Sequence, residues 1–150
     1  MPRIRTAETH DLPQLARLFD LYRQFYHQAP DPDCALRFLR ARMSKGESVI
    51  LVADSGGGIL SGFCQLYPTF CSVAAQPIYV LYDLFVEGPA RRQGVARELM
   101  DAARARAIAD GKSRMDLSTA KDNVKAQALY ESLGWKRDEV FYSYSLDLDK

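Results

Sequence analysis

The hexapeptide Arg91-Arg92-Gln93-Gly94-Val95-Ala96 stands where a strand-like run ends and a helix-like run begins. Ile78 to Val86 is almost wholly apolar, and Val95 to Asp110 has helical periodicity. The first amides of a helix have no intrahelical acceptor, and the helix dipole adds about half a positive charge at that end. A turn built this way receives anions, and two guanidinium forks suit phosphate. The expected ligand therefore carries phosphate. There is no Gly-x-x-x-x-Gly-Lys-Ser/Thr loop, and Gly94 stands alone where a dinucleotide fingerprint needs three glycines. What remains is Arg-x-x-Gly-x-Ala. Gly94 would let the backbone approach a pyrophosphate, and Ala96 would let the first helical turn pack closely. Taken alone, an ordinary basic helix start reads the same way.

Composition sets the frame for this turn. A chain of 150 residues suits one domain over 1–150 with a real core. A net charge of +1 argues against a general nucleic-acid binder. The apolar runs are strand-sized, which speaks against a membrane span. Met1-Pro2-Arg3-Ile4-Arg5 lacks the apolar stretch of a signal peptide, so a cytoplasmic protein is expected. Cys34, Cys64 and Cys71 are an odd number without a pairing pattern and read as reduced thiols. No histidine lies near Cys64 or Cys71 in sequence, so neither a metal site nor a nucleophilic cysteine is expected.

The elements that must position the turn can be read from periodicity and caps. Ile4 falls in a short first strand. Asp11 with Gln14 resembles a capping box, followed by Leu15, Leu18, Phe19, Tyr22 and Phe25 at helical spacing. Asp31-Pro32 opens a second helix carrying Leu36, Leu39 and Met43, and Gly46 is placed to end it. Val49 to Ala53 and Ile59 to Tyr67 read as antiparallel partners around Asp54-Ser55-Gly56-Gly57-Gly58. Tyr67-Pro68-Thr69-Phe70 through Gln76-Pro77 reads as a loop. Ile78 to Val86 is a central strand covered on both faces. The helix after the turn is amphipathic, and Met115 to Ser118 is a short strand. Asn123 caps a last helix that shares Ala126, Leu129, Tyr130 and Leu133 on one face, with Gly134 as its stop. Tyr142, Tyr144, Leu146 and Leu148 alternate with polar residues, as in a closing strand from Phe141 to Leu148. The order is β-α-α-β-β-β-α-β-α-β: an α/β chain with a mixed, mostly antiparallel central sheet flanked by helices.

Two motifs then act together. The basic turn follows Asp83-Leu84-Phe85-Val86, and further along comes Asn123-Val124-Lys125-Ala126-Gln127-Ala128-Leu129-Tyr130-Glu131-Ser132-Leu133-Gly134-Trp135. The second pattern resembles the closing motif of the GNAT N-acetyltransferase superfamily, and the first resembles its acetyl-CoA pyrophosphate loop. The element order matches as well, so the resemblance covers essentially the whole chain as a single GNAT domain with the acyl-CoA N-acyltransferase fold. In motif it is nearest to polyamine or small-amine members.

The resemblance implies acetyl-CoA as cosubstrate, with the pyrophosphate on Arg91, Arg92, Gln93, Gly94, Val95 and Ala96. It also implies a strand that splays from its neighbour, often by a bulge, so that Leu84, Phe85 and Val86 meet the pantetheine arm. The amide of Phe85 or Leu84 would support the thioester oxygen as charge develops. Asn123 would bond the cofactor arm, although a plain helix cap explains it equally well. Tyr130 takes the place of the family's general acid: a phenol beside the sulfur can protonate a leaving thiolate whose thiol pKa is about 8.5. Packing on the apolar helix face is its alternative role.

The base is less defined. An alkylammonium with a pKa of about 10 must lose a proton before it attacks. Polyamine-type members often carry Leu-Glu-Asp on this strand, but here Tyr82 stands in the glutamate's place in Leu81-Tyr82-Asp83. Asp83 matches the family aspartate, yet strict alternation would turn it to the face opposite Tyr82; base, structural residue and substrate-orienting residue are its alternative roles, and a water chain is the other route for the proton. Tyr22, Tyr26, Tyr67 and Tyr82, together with Phe70, are the candidate acceptor-site residues, since aromatic walls suit a cation; core packing explains them too. The function expected is direct acetyl transfer to a primary amine of a small, polyamine-like or amino-acid-like molecule, without nucleic acid, membrane or metal. A protein lysine or N-terminal acceptor, or a non-catalytic acyl-CoA-binding module, is the alternative. Family habit implies a homodimer.

Overall fold

The apolar runs of the sequence pair into one five-stranded sheet of order β1-β2-β3-β4-β5. The computed structural model describes residues 1–148. Its strands are β1 (Arg3–Thr6), β2 (Val49–Asp54), β3 (Leu60–Cys71), β4 (Gln76–Val86) and β5 (Met115–Asp116). Its helices are α1 (Leu12–Phe25), α2 (Pro32–Ser44), α3 (Val95–Ala109) and α4 (Val124–Ser132). β1 to β4 run antiparallel in sequence order, and β5 lies parallel to β4. The chain divides into two compact units, Met1–Ser118 and Thr119–Lys150. The whole sheet with α1, α2 and α3 belongs to the first, and α4 to the second.

Alternation along the strands sorts side chains onto two faces. Val52, Phe63 and Phe85 join Leu15, Leu18, Phe19, Ala35 and Leu39 of α1 and α2 in one buried cluster. On the other face α3 buries Val95, Leu99, Met100, Ala103 and Ala107, the stripe that the sequence marks as apolar, while Ala96 is half-buried. Gly62 lets α3 come close. A Cβ there would sit 2.9 Å from the Phe85 carbonyl oxygen and 3.3 Å from Leu99.

Four local expectations are corrected. The box at the start of α1 is not Asp11 with Gln14. It forms one turn earlier, between Glu8 and Asp11 around the 3-10 turn Thr9–Asp11. Arg5 engages both Asp11 oxygens, at 2.7 and 2.8 Å, and the Glu8 amide donates to one of them at 2.7 Å. A carboxylate held from that side is not available to the first turn of α1. Gln14 instead accepts from the Leu60 amide at 3.3 Å. The stretch from Tyr67 to Pro77 is not a loop, because β3 and β4 extend their ladder to Cys71↔Gln76. β5 ends at Asp116, two residues short of the strand expected. Residues 141–148 carry no strand, and Tyr142, Tyr144, Leu146 and Leu148 are all exposed. Alternation marks a chain that could serve as a strand, but a strand exists only where a neighbouring edge takes its amides and carbonyls.

Candidate active site

Register first shows where chemistry can happen. β3 and β4 pair from Gly62↔Val86 to Gln65↔Asp83, and then Leu66 faces Leu81. Tyr82 is therefore an extra residue, a bulge in β4. The Asp83 carboxylate accepts from Gln65 Nε2 at 2.8 Å, while the Tyr82 ring meets Tyr67 edge-on with centroids 5.6 Å apart. Gln65 and Tyr67 are two residues apart in β3 and share a face. The bulge thus turns Tyr82 and Asp83 to the same side, which corrects the expectation from strict alternation.

Tyr22 of α1 closes over this pair. Its hydroxyl hydrogen-bonds the Asp83 carboxylate and lies 3.4 Å from the Tyr82 carbonyl oxygen. Tyr26 packs edge-on to Tyr22 at 5.2 Å, and Phe63 and Phe85 meet the Tyr22 ring at 5.8 and 6.0 Å. Of the four tyrosines singled out in the sequence, Tyr22 bonds the Asp83 carboxylate, Tyr67 lies within reach of its charge, Tyr26 packs on Tyr22 and Tyr82 packs on Tyr67. Phe70, at 75% exposed, lies outside this group. Asp83 itself is buried, and burial pushes its carboxyl above the ordinary carboxylate range, opposed by the hydrogen bonds from Gln65 and Tyr22. Burial, and next the nearby Asp83 charge, push the Tyr67 phenol up to about 12. Behind Asp83, the Ser48 hydroxyl donates to Gln65 Oε1 at 2.7 Å. Neither Gln65 nor Ser48 is among the residues that motif or spacing singles out. The available signal was a lone amide in the otherwise small or apolar run from Leu60 to Leu66.

The other flank of β4 is open. β5 pairs with β4 only at Tyr79↔Met115 and Val80↔Asp116, so beyond Val80 no described strand lies along that edge. The Glu87 amide bonds the Ser61 carbonyl at 2.9 Å. Alternation in an antiparallel ladder then commits the backbone groups of Phe85 and Asp83 to β3 and turns those of Leu84 and Val86 to the open edge. The Val86 carbonyl there accepts from Arg91 Nε at 2.9 Å.

The open edge leads through the 3-10 turn Gly88–Ala90 into the basic loop. Arg92 and Gly94 both adopt left-handed backbone, at φ 65° and 80°, and Gly94 is the N-cap of α3. The loop is exposed from Arg91 to Gly94, and no side chain caps the helix, whose first amides have no acceptor within it. Arg91 is folded back toward the strand, its guanidinium 5.6 Å from the Phe85 ring centroid. Gln93 Nε2 donates to the Pro89 carbonyl at 3.3 Å. This geometry fits an elongated ligand with a phosphate end: a strip of strand backbone beside Asp83 that is not paired to β3, engaged at Val86 by Arg91 and ending at a helix N-terminus.

In the second unit, Asn123 caps α4 by accepting from the Ala126 amide at 3.3 Å. The helix ends on Gly134 in left-handed backbone, with Trp135 N–H bonded to the Tyr130 carbonyl at 3.0 Å and Gly134 N–H to that of Glu131 at 3.1 Å. That is a Schellman ending, which brings the residue after the glycine onto the helix. The Trp135 ring accordingly lies 6.4 Å from that of Tyr130. The glycine–aromatic pair of the closing motif thus has a local purpose: it packs a ring on the half-buried tyrosine.

Residues 15–135 match the acetyltransferase (GNAT) family, a span that reaches from α1 through α4. The chain belongs to the GNAT acetyltransferase family. A Bacillus subtilis relative named as an uncharacterized N-acetyltransferase, YhfO, is 45% identical over 97% of each chain. A solved structure of a probable acetyltransferase superposes with a TM-score of 0.91, at 40% identity over 99% of each chain. A D-amino-acid N-acetyltransferase of Saccharomyces cerevisiae is 25% identical over 93% of this chain and 88% of its own. The GNAT fold is thus the fold of this chain, and the family uses acetyl-CoA. Among the described residues no helix is long and apolar enough to cross a membrane, and no group of three His, Cys, Asp or Glu side chains is placed to hold a metal ion. A groove of about 610 Å³ between α1 and α2, lined by Leu12, Ala16, Asp20, Pro32, Leu36 and Arg40 among others, shares no residue with the Asp83 group.

Proposed function

We propose that this GNAT protein transfers an acetyl group from acetyl-CoA to the primary amine of a small molecule by direct attack. The observation that carries this reading is the bulge at Tyr82. It places a buried, hydrogen-bonded carboxylate in an aromatic recess, on the strand whose free edge leads to the α3 N-terminus. When bound, acetyl-CoA supplies the activated thioester. The amides from Arg92 to Ala96 hold its pyrophosphate, with Arg91 and Gln93 bracing the loop. The backbone groups of Leu84 and Val86 face the pantetheine arm, Phe85 walls it by its ring, and the Leu84 amide supports the thioester oxygen. Asn123 adds a bond to the cofactor arm while it caps α4.

The acceptor enters as an ammonium among Tyr22, Tyr26, Tyr67 and Tyr82, where ring faces favour a cation. Asp83 takes its proton, because a carboxylate raised above the usual range is a better base than an exposed one. Tyr130, which stands in the place of the family's general acid, returns a proton to the leaving sulfur in this reading. One recessed carboxylate with aromatic walls suits a compact amine carrying a single charge at that point. The yeast relative named for D-amino acids supports an amino-acid-like acceptor.

The test is release of free CoA thiol with a panel of amino acids, polyamines and aminoglycosides, with the N-acetyl product identified by mass spectrometry. Turnover of small amines is the expected result. Acetyl-CoA binding without turnover of any amine would overturn the reading, and turnover confined to peptide substrates would replace the small-molecule acceptor.

A further inference from the structure

Behind Asp83 runs a polar chain that direct transfer does not use: Ser48 Oγ to Gln65 Oε1 at 2.7 Å, then Gln65 Nε2 to Asp83 Oδ2 at 2.8 Å. Gln65 is fully buried, so its amide has no water to turn to, and both of its ends need partners. Its two ends are chemically opposite, one accepting and one donating. In the observed arrangement the donating end faces Asp83, which suits an ionised carboxylate. A carboxyl that takes its proton on Oδ2 offers a donor there, and the same N–H would then confront an O–H. A half-turn of the amide resolves that conflict. The Asp83 O–H donates to Gln65 Oε1, and Gln65 Nε2 donates to the Ser48 oxygen, because a hydroxyl accepts as readily as it donates. No buried group is left unpaired in either state.

We propose that Gln65, backed by Ser48, is a positioning residue for Asp83: its amide holds the carboxylate when ionised and turns over to accept from it when protonated. The step is a proton transfer alone. Asp83 gains the proton that the acceptor ammonium loses, and gives it up to solvent before the next turnover. This inference rests on Asp83 being the base of the proposed reaction, but its physical content is independent of turnover. The titratable groups around Asp83 are Tyr22 from α1, Cys64 and Tyr67 from β3, and Tyr82 of β4. Arg42 of α2 and Glu47 just after it act on Tyr67. The Cys64 thiol on the opposite face is pushed up to about 12, chiefly by burial. The Tyr67 phenol, like this thiol, is pushed up to about 12, so neither changes protonation state through the carboxylate range.

The experiment is an NMR titration of the full chain that follows the Asp83 side-chain carboxyl carbon and the Gln65 side-chain amide together. In the wild type the two should share one midpoint. In Gln65→Met the Asp83 midpoint should rise by about one pH unit, because the lost bond favours the charged form more than the neutral one. The acid limb of kcat/KM should rise with it. A Gln65 amide indifferent to the Asp83 titration would overturn the proposal even if the variant does not fold, and so would an unmoved midpoint in Gln65→Met. If the midpoints move as stated while no amine is acetylated, Gln65 keeps its hold on Asp83 and the transferase reading fails instead.

Discussion

Asp83 is the residue on which the chemistry turns, because its surroundings pull its acidity in two directions. Burial disfavours the charge, while Gln65 and Tyr22 favour it, and burial prevails. A base works only when deprotonated, so kcat/KM should fall as pH drops through a value above the 3.8 of an ordinary aspartate. Asp83→Asn should remove that acid limb and lower kcat/KM by about 10²–10⁴-fold, as steady-state kinetics across pH would show. At the loop, Gly94 sits at φ +80°, and a side chain there would meet nothing closer than Met1 Cε at 3.9 Å. Conformation is therefore the obstacle and not space. Gly94→Ala should weaken acetyl-CoA binding about tenfold, measured by calorimetry, through a backbone cost of about 1–2 kcal/mol. Asp83 was singled out by its match to the family's strand pattern, and the tyrosines and Gly94 by residue type and position. Gln65 was not, because a single amide in an apolar run declares its partner only after the strands are in register.

Elements were legible where their ends are written in the sequence. Asp31 and Asn123 cap α2 and α4 as read, and Gly46 and Gly134 end them in left-handed backbone. α3 ends likewise on Gly111, but α1 ends on His27 at φ 68°, with Gln28 N–H bonded to the Arg23 carbonyl at 3.0 Å. A histidine does not announce a left-handed turn. Since His27 is exposed, His27→Gly should raise stability by about 1 kcal/mol in urea unfolding, by relieving that conformation. The family resemblance led to a bulge on this strand, but its position at Tyr82 was hidden for a similar reason: neither glycine nor proline marks it. The bulge nevertheless decides the site, for without it Tyr82 and Asp83 would face opposite sides of the sheet.

At the scale of the molecule, the order of elements up to α4 could be read from periodicity alone, and the family from two motifs. The closing strand read over residues 141–148 does not form, since alternation supplies no neighbouring edge. The ion cluster that ties β1 to the start of α1 and to β2 could not be read from the sequence. Arg5 binds Asp11 through two nitrogens and Asp54 through Nε at 3.0 Å. Arg5 holds the Asp11 carboxyl below its ordinary 3.8. The stabilisation is therefore fully present above the unfolded value and lost as pH falls through the lower folded one. Asp11→Asn should cost about 2–3 kcal/mol at neutral pH and flatten the acid limb of a denaturation series run from pH 6 to pH 2. One ligand meeting both the unpaired edge of β4 and the α3 N-terminus joins the loop to the site. Titration calorimetry of the full chain with acetyl-CoA tests this most directly. Saturable heat with one site per chain, weakened in Gly94→Ala, is the predicted result. A folded wild-type chain that gives no saturable heat with acetyl-CoA or with CoA would contradict it.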